Sequence, residues 1–168
     1  MKLNDLEFNG QTCIINFMDT NKKDLLFVGM QFLMFFLYLL PINIVNIIIF
    51  DSIKYFGLFI LFFGVLICLW AIINLNKSLS VFPSPPDNAK LISNGIYKFI
   101  RHPIYTGVIF ITIGYSIFSE SVYRFFISLF LIVLFYLKSK YEEKLLQLKF
   151  KEYSSYKKTV GRFLPKIF

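Results

Sequence analysis

The stretch that decides the fold runs from Tyr55 to Ile73, YFGLFILFFGVLICLWAII, and its 19 residues include no charged side chain. Each residue of an α-helix adds about 1.5 Å along the axis, so this stretch is long enough to cross a hydrocarbon core of about 30 Å. It therefore predicts a membrane-spanning helix.

Three further uncharged apolar runs flank this stretch. Leu25–Ile44 has 20 residues, Pro103–Ser119 has 17 and Phe125–Leu137 has 13. The last run spans only if the residues just before it join the helix, and if Arg124 and Lys138 extend their charged ends to the two interfaces. Together the runs predict an all-α integral membrane protein with about four transmembrane helices.

The composition supports a membrane protein and excludes several other classes. The chain of 168 residues is 57% apolar and 17% charged, whereas soluble domains are about 45–50% apolar and about 25% charged. A soluble single domain, a disordered chain and a collagen-like fibre are therefore excluded. The net charge of +8 would suggest nucleic acid in a soluble protein, but no nucleic-acid partner is expected here.

The basic residues orient the predicted helices. If the N-terminus is cytoplasmic, segments 1–24, 74–102 and 138–168 are also on that side, and they hold 16 of the 18 Lys and Arg residues. Only Lys54 and Arg124 fall on the outer side, as the positive-inside rule expects. We therefore predict a multi-pass protein with both termini cytoplasmic. Residues 1–24 form a polar leader, and 25–168 form one domain whose motif region is 74–168.

The C-terminal part predicts a long helix that extends into the cytosol. The sequence from Phe125 to Val160 contains no Gly or Pro, so the helix is expected to leave the membrane near Lys138 and to end at Gly161 and Pro165. The third and fourth spans then form a hairpin that brings the residues just before and just after it to one membrane surface.

Two sequence elements lie at that surface. The first is Leu91–Gly107, LISNGIYKFIRHPIYTG, and the second is the pair Glu142-Glu143, followed by Leu146, Phe150, Tyr153, Tyr156, Val160, Arg162 and Pro165. Together they resemble the hallmark of the isoprenylcysteine carboxyl methyltransferase and phospholipid methyltransferase superfamily. The hallmark reads L-[VI]-[TS]-x-G-x-Y, three variable residues and R-H-P-x-Y-x-G, then the glutamate pair. The resemblance covers about residues 55–168.

One departure from that pattern concerns the last element. Relatives usually have F-G-x-x-Y, whereas this chain has Phe150-Lys151-Glu152-Tyr153, which lacks the glycine and is one residue shorter. In a continuous helix the missing residue rotates everything downstream by about 100°. Tyr153 and Tyr156 are therefore expected to face elsewhere than in relatives.

The resemblance implies an enzyme: a membrane methyltransferase that uses S-adenosyl-L-methionine, with its active face cytoplasmic and a lipophilic acceptor drawn from the membrane lipid phase. It implies catalytic roles for Arg101 and Glu143. The residues it implies for cofactor binding are Leu91, Gly95, Tyr97, His102, Pro103, Tyr105, Gly107, Glu142 and Glu143.

Each of these residues also has a structural interpretation. The glutamate pair could form a solvated salt-bridge face with Lys138 and Lys140, at spacings of four and three residues. His102, the only histidine, could cap a helix, and no metal is expected because neither cysteine lies near it in sequence.

The remaining residues have equally ordinary alternatives. Arg101 could anchor to lipid phosphate, although a guanidinium also suits a carboxylate of the cofactor or substrate. Tyr97 and Tyr105 could belong to an interfacial aromatic belt. Gly95 and Gly107 could serve a turn or helix packing.

The chemistry of the acceptor stays open at this point. A carboxylate is ionised at neutral pH and needs no general base, so isoprenylcysteine-carboxyl-like O-methylation is favoured over methylation of a phospholipid amine. A small thiol is a further alternative. Two alternatives do not involve methyl transfer: an NADPH-binding protein similar to sterol reductases, and a non-catalytic membrane scaffold.

Overall fold

The computed structural model describes residues 22–42, 48–75, 82–85 and 90–166. Every regular element in these ranges is a helix, which confirms the all-α prediction. Helix α1 covers residues 22–39. It is followed by α2 (Asp51–Leu75), a 3₁₀ turn (Gly95–Lys98), α3 (Pro103–Phe118), α4 (Val122–Lys149) and α5 (Tyr153–Thr159).

Glycines bring α2 and α3 into backbone contact. A Cβ atom on Gly64 would lie 2.7 Å from the carbonyl oxygen of Gly107, and one on Gly57 would lie 2.8 Å from that of Gly114. Gly57 and Gly64 are seven residues apart on α2, and Gly107 and Gly114 are seven residues apart on α3. The two glycines of each helix therefore fall on one face of it. Small residues of this kind let apolar helices approach closely in a membrane, where the hydrophobic effect does not drive helices together.

Helix α1 packs on the other side of α3 and against α4. The buried cluster there contains Tyr38, Ile109, Leu131 and Phe135. Tyr38 donates a hydrogen bond from its hydroxyl to the Thr112 carbonyl oxygen at 2.7 Å. This contact satisfies a carbonyl inside α3 and joins α1 to the three-helix core.

The positions of the four predicted spans are helical. Helices α2 and α4 are long and apolar enough to cross a membrane, and α3 is a shorter apolar helix. The outer face of α2 exposes a stacked row of rings, Phe56, Phe59 and Phe63. Helix α1 stops at residue 39, before Pro41, instead of continuing to Ile44, and residues 43 and 44 of that run lie outside the described residues. The number of spans and their orientation stay predictions, and the leader of residues 1–24 is described only from residue 22.

The prediction of one continuous helix to Val160 is wrong. Helix α4 ends at Lys149, and Phe150 takes extended backbone angles (φ −121°, ψ 114°). The chain then turns into α5 and runs back beside the start of α3, where Arg101 N–H donates to the Gly161 carbonyl at 2.9 Å. The expected rotation of about 100° assumed a continuous helix, so it does not apply to this chain, and how Tyr153 and Tyr156 face compared with relatives stays a prediction.

Candidate functional site

The start of α3, the middle of α4 and the returning α5 enclose a cavity of about 240 Å³. Residues from the 82–85 segment and from the stretch before the 3₁₀ turn complete its wall. Its lining includes Gln31, Leu91, Tyr97, Arg101, His102, Pro103, Tyr105, Lys138, Glu142, Phe150, Tyr153 and Tyr156. The hairpin of α3 and α4 thus brings the two sequence elements together, as predicted from their positions.

Glu142 is the carboxylate that faces this cavity. Its Oε2 atom accepts a hydrogen bond from the Tyr105 hydroxyl at 3.0 Å and lies 3.6 Å from His102 Nδ1. The rings of His102 and Tyr105 stack with centroids 5.4 Å apart. Phe135 stacks on the other face of Tyr105 at 4.8 Å. This column of rings orients a carboxylate whose side chain keeps 25% of its surface exposed.

Glu143 points away from the cavity and into a cluster of cations. Its side chain is 0% exposed. Arg101 and Arg162 each donate to it at distances between 2.9 and 3.1 Å, and Lys157 Nζ lies 3.1 Å away. The solvated face that spacing suggested for the pair is therefore wrong for Glu143. Its surroundings favour a structural role over the predicted cofactor contact.

Arg101 uses most of its N–H groups to hold the C-terminal segment. Its Nη1 atom donates to the carbonyl of Lys157 at 2.8 Å and to that of Val160. Its Nε and Nη2 atoms contact Glu143 Oε1 at 3.0 and 2.9 Å. Arg101 lines the cavity, but its hydrogen bonds join α3, α4 and α5. We refer to Arg101, Glu143, Lys157 and Arg162 as the Glu143 clamp.

Three tyrosines form an aromatic wall on the α5 side. Tyr156 donates its hydroxyl to the Tyr97 carbonyl at 2.5 Å, and its ring meets that of Tyr153 at 5.8 Å, edge to face. Burial raises the pKa of Tyr156 to about 12, so this hydroxyl remains a donor at neutral pH. The sequence prediction did not place Tyr153 in the site. The family tyrosine spacing was the available signal, and the shortened element obscured it.

The remaining predicted residues divide between the cavity and the packing around it. Pro103 is the first residue of α3 and lines the cavity, and Leu91 lines it from the preceding stretch. His102 precedes α3 without a side-chain cap hydrogen bond. Its ring instead lies between the two glutamates, with Nδ1 3.6 Å from Glu142 Oε2 and Nε2 3.4 Å from Glu143 Oε1, so the alternative of a polar partner at the helix start fits and that of a side-chain cap does not. Gly95 (φ 56°) fits against Asn74, and Gly107 packs on α2, and neither borders the cavity.

Sequence reasoning missed one pair of polar residues in the wall. Lys138 is 1% exposed, and its Nζ atom lies 2.6 Å from Gln31 Oε1 on α1. The ammonium is also 5.5 Å from the centre of the Tyr105 ring, a cation–π distance. Lys138 therefore turns into the protein and does not extend to an interface as predicted.

Comparison with known families identifies the family of this chain. A family model described as phospholipid methyltransferase matches residues 52–153, which is more than half of the chain. The chain belongs to the phospholipid methyltransferase family. This result confirms the superfamily resemblance in the sequence. A search of curated proteins found no match.

The phospholipid methyltransferase match includes α2, α3, α4 and most of the cavity wall. Helix α1 lies outside the matched residues, yet it supplies Gln31 to the cavity. The buried carboxylate of Asp24 on the same helix accepts a hydrogen bond from Ser84 N at 3.2 Å. Helix α1 thereby also fixes the 82–85 segment that borders the cavity.

Proposed function

We propose that the protein is a membrane-embedded methyltransferase that transfers a methyl group from S-adenosyl-L-methionine to a lipophilic acceptor. The single observation that carries this proposal is the cavity inside the matched family region, where Glu142 faces aromatic and apolar walls. We further propose four spans with both termini and the cavity on the cytoplasmic side, since the basic residues Lys90, Arg101 and Lys138 line the cavity and belong to the segments that the positive-inside rule assigns to that side.

The cavity residues fit the chemistry of this cofactor. Glu142 is an acceptor suited to ribose hydroxyls or an amino group. Tyr97 offers a ring face to a purine or a sulfonium cation. Tyr105, whose two ring faces are covered by His102 and Phe135, orients Glu142 through its hydroxyl. Leu91 supplies an apolar edge, and His102 presents a ring nitrogen beside Glu142. These five residues would hold the cofactor, and the chemistry it supplies is an electrophilic methyl group.

The protein contributes alignment and exclusion of water to such a transfer. The acceptor atom must approach the methyl carbon in line with the departing sulfur, and a closed cavity holds that geometry. Glu143 is unsuited to serve as a base because the clamp cations already occupy both of its oxygens. Glu142 is the remaining carboxylate of the pair that reaches the cavity.

A carboxylate is the acceptor group that this charge pattern favours. Among the described lining residues, Lys90 and Lys138 are cations in addition to Arg101, which is paired with Glu143, and Glu142 is the one carboxylate. An acceptor carboxylate is attracted to these cations and needs no proton removed before it reacts. We therefore propose carboxyl O-methylation of a lipophilic, isoprenylcysteine-like acceptor, which enters from the bilayer between the helices.

A phospholipid amine is the second candidate. The observation that favours it is Glu142 itself, because an amine must lose a proton before it attacks and this carboxylate is placed to accept one. The two candidate acceptors differ in the effect that a substitution of Glu142 should have on the reaction. Glutamine at position 142 would reduce the rate for an amine acceptor at saturating cofactor, whereas a carboxylate acceptor would show mainly weaker cofactor binding.

Purified protein in detergent provides the test. We expect saturable binding of S-adenosylhomocysteine by calorimetry and methylation of a farnesylcysteine analogue by labelled cofactor. Glu142→Gln should weaken binding about tenfold, and Glu152→Gln, which changes an exposed carboxylate at the start of α5, should leave it unchanged. Binding of NADPH in place of the methyl donor would support the reductase-like alternative, and binding of neither would support a scaffold.

A further inference from the structure

Tyr153 lines the cavity, and its hydroxyl is a buried polar group. The residue is 1% exposed, and among the described residues its hydroxyl has no hydrogen-bond partner. Its neighbour Tyr156 differs, because that hydroxyl donates to the Tyr97 carbonyl at 2.5 Å. The two side chains are chemically identical and their rings are in contact. One hydroxyl is therefore used by the fold, and the other is held in the cavity wall.

A buried hydroxyl without a partner lowers stability, because it has left water without replacing the hydrogen bonds it made there. A ligand that supplied the missing partner would recover this loss when it binds. The Tyr153 ring itself is well placed for the fold, since it packs beneath the Glu143 clamp. Phenylalanine would provide the same packing without the unsatisfied oxygen.

The charges around Tyr153 determine what it can bind. Burial raises the pKa of Tyr153, and the nearby carboxylates of Glu143 and Glu142 raise it further, against an opposing effect of Arg101. The hydroxyl is thus protonated at neutral pH and acts as a donor. Because Glu142 also borders this cavity, a neutral acceptor such as a ribose oxygen or a ring nitrogen is favoured there over a second carboxylate.

The rings around this hydroxyl indicate which part of a ligand lies beside it. Tyr97 and Tyr156 are joined by their hydrogen bond, Tyr153 contacts Tyr156, and the Tyr153 N–H donates to the Phe150 carbonyl at 3.1 Å. All four side chains border the cavity. A purine nucleoside has flat faces that suit such a wall and several neutral acceptor atoms at its edges.

We propose that the Tyr153 hydroxyl binds the nucleoside half of S-adenosylmethionine, with its O–H donating to a neutral oxygen or nitrogen of that half. The assignment rests on the proposed function. It makes Tyr153 a binding residue, whereas Tyr156 is a structural one.

A pair of matched variants tests this assignment. Tyr153→Phe and Tyr156→Phe each remove one hydroxyl from the same aromatic wall. For each variant, calorimetry measures binding of S-adenosylhomocysteine and of 5′-methylthioadenosine, which lacks the amino-acid half. Thermal unfolding without ligand measures stability in the same detergent.

We expect Tyr153→Phe to weaken both ligands about fivefold, the value of one hydrogen bond, and to leave the ligand-free unfolding temperature unchanged or higher. Tyr156→Phe should lower that temperature because it leaves the Tyr97 carbonyl without the hydrogen bond from Tyr156. Unchanged binding by Tyr153→Phe, or a loss of stability matching that of Tyr156→Phe, would overturn the assignment. Weaker binding of S-adenosylhomocysteine alone, or no binding of methylthioadenosine by the unaltered protein, would overturn its placement at the nucleoside half.

The proposed function and this assignment fail in different ways. If the unaltered protein binds no S-adenosylhomocysteine, the proposed function is wrong. If it binds and Tyr153→Phe binds equally well, only the role of Tyr153 is wrong.

Discussion

Replacing Glu143 with glutamine should destabilise the protein severely, although the change preserves the shape of the side chain. Glutamine removes a charge that faces Arg101, Lys157 and Arg162. Removing one partner of a buried ion pair costs about 3–5 kcal/mol, because the opposite charge stays buried and uncompensated. Lys157 and Arg162 keep 36% and 20% of their side-chain surface exposed and can turn towards water. We therefore expect a loss of stability at the lower end of this range, about 3 kcal/mol.

The consequence should be visible in two measurements. A loss of 1 kcal/mol lowers the unfolding temperature of a chain of this size by about 2–4 °C, so Glu143→Gln should lower it by about 6–12 °C. The loss should also be local. The segment after Phe150 is held by the Glu143 clamp, so its lysines should become sensitive to trypsin before α2 and α3 do.

The adjacent residue is the control for this experiment. Glu142 is partly exposed and accepts one hydrogen bond, from Tyr105, so Glu142→Gln should cost about 1 kcal/mol of stability while weakening ligand binding. If Glu143→Gln unfolds within 2 °C of the unaltered protein, about the measurement limit, and its digestion pattern is unchanged, the clamp does not hold the C-terminal segment. The reasoning from burial and pairing would then be refuted.

Three further predictions concern other parts of the molecule. Gly64→Ala should cost about 1–3 kcal/mol in thermal unfolding because its methyl group enters the α2–α3 contact, whereas Gly29→Ala, with open space around it, should cost nothing. Lys138→Met should raise the KM of an anionic acceptor about tenfold and leave binding of S-adenosylhomocysteine within a factor of two. The control Gln31→Leu should raise that KM less. Equal effects of Lys138→Met on the acceptor and on S-adenosylhomocysteine would contradict the role of Lys138. Because the folded-state pKa of Tyr156 is raised to about 12, above its ordinary value of about 10, its contribution to stability is complete below pH 10 and lost as pH rises towards 12. Alkaline unfolding should show this loss, and Tyr156→Phe should reduce it.

The helices could be predicted from the sequence because their information is local. Long apolar runs give α2 and α3 their positions, and Pro41 limits α1 because the residue before a proline is disfavoured in a helix. The two motif elements met as predicted because a hairpin returns the chain to the surface it left. Membership of the family was equally visible, since each of the two signature elements is a short stretch of sequence.

The errors arose where distant residues decide the local conformation. The stretch from Phe150 to Val160 contains no glycine or proline, yet Phe150 is extended because Arg101 and Glu143 draw residues 157–162 back onto the start of α3. Lys138 was expected to reach water along the shortest path. Its partner Gln31 lies 107 residues away, and no local pattern could indicate that pairing.

The Glu143 clamp also sets the order in which the protein matures. Helices α2 and α3 can pair as soon as both have left the ribosome, because the glycine contacts between them involve residues of these two helices alone. The cavity cannot close until Lys157 and Arg162 have been synthesised, since they are the last contributors to the cluster around Glu143. We therefore expect the α2–α3 pair of a nascent chain to form before the cavity does, so that binding of the proposed cofactor becomes possible only after Arg162 has been added.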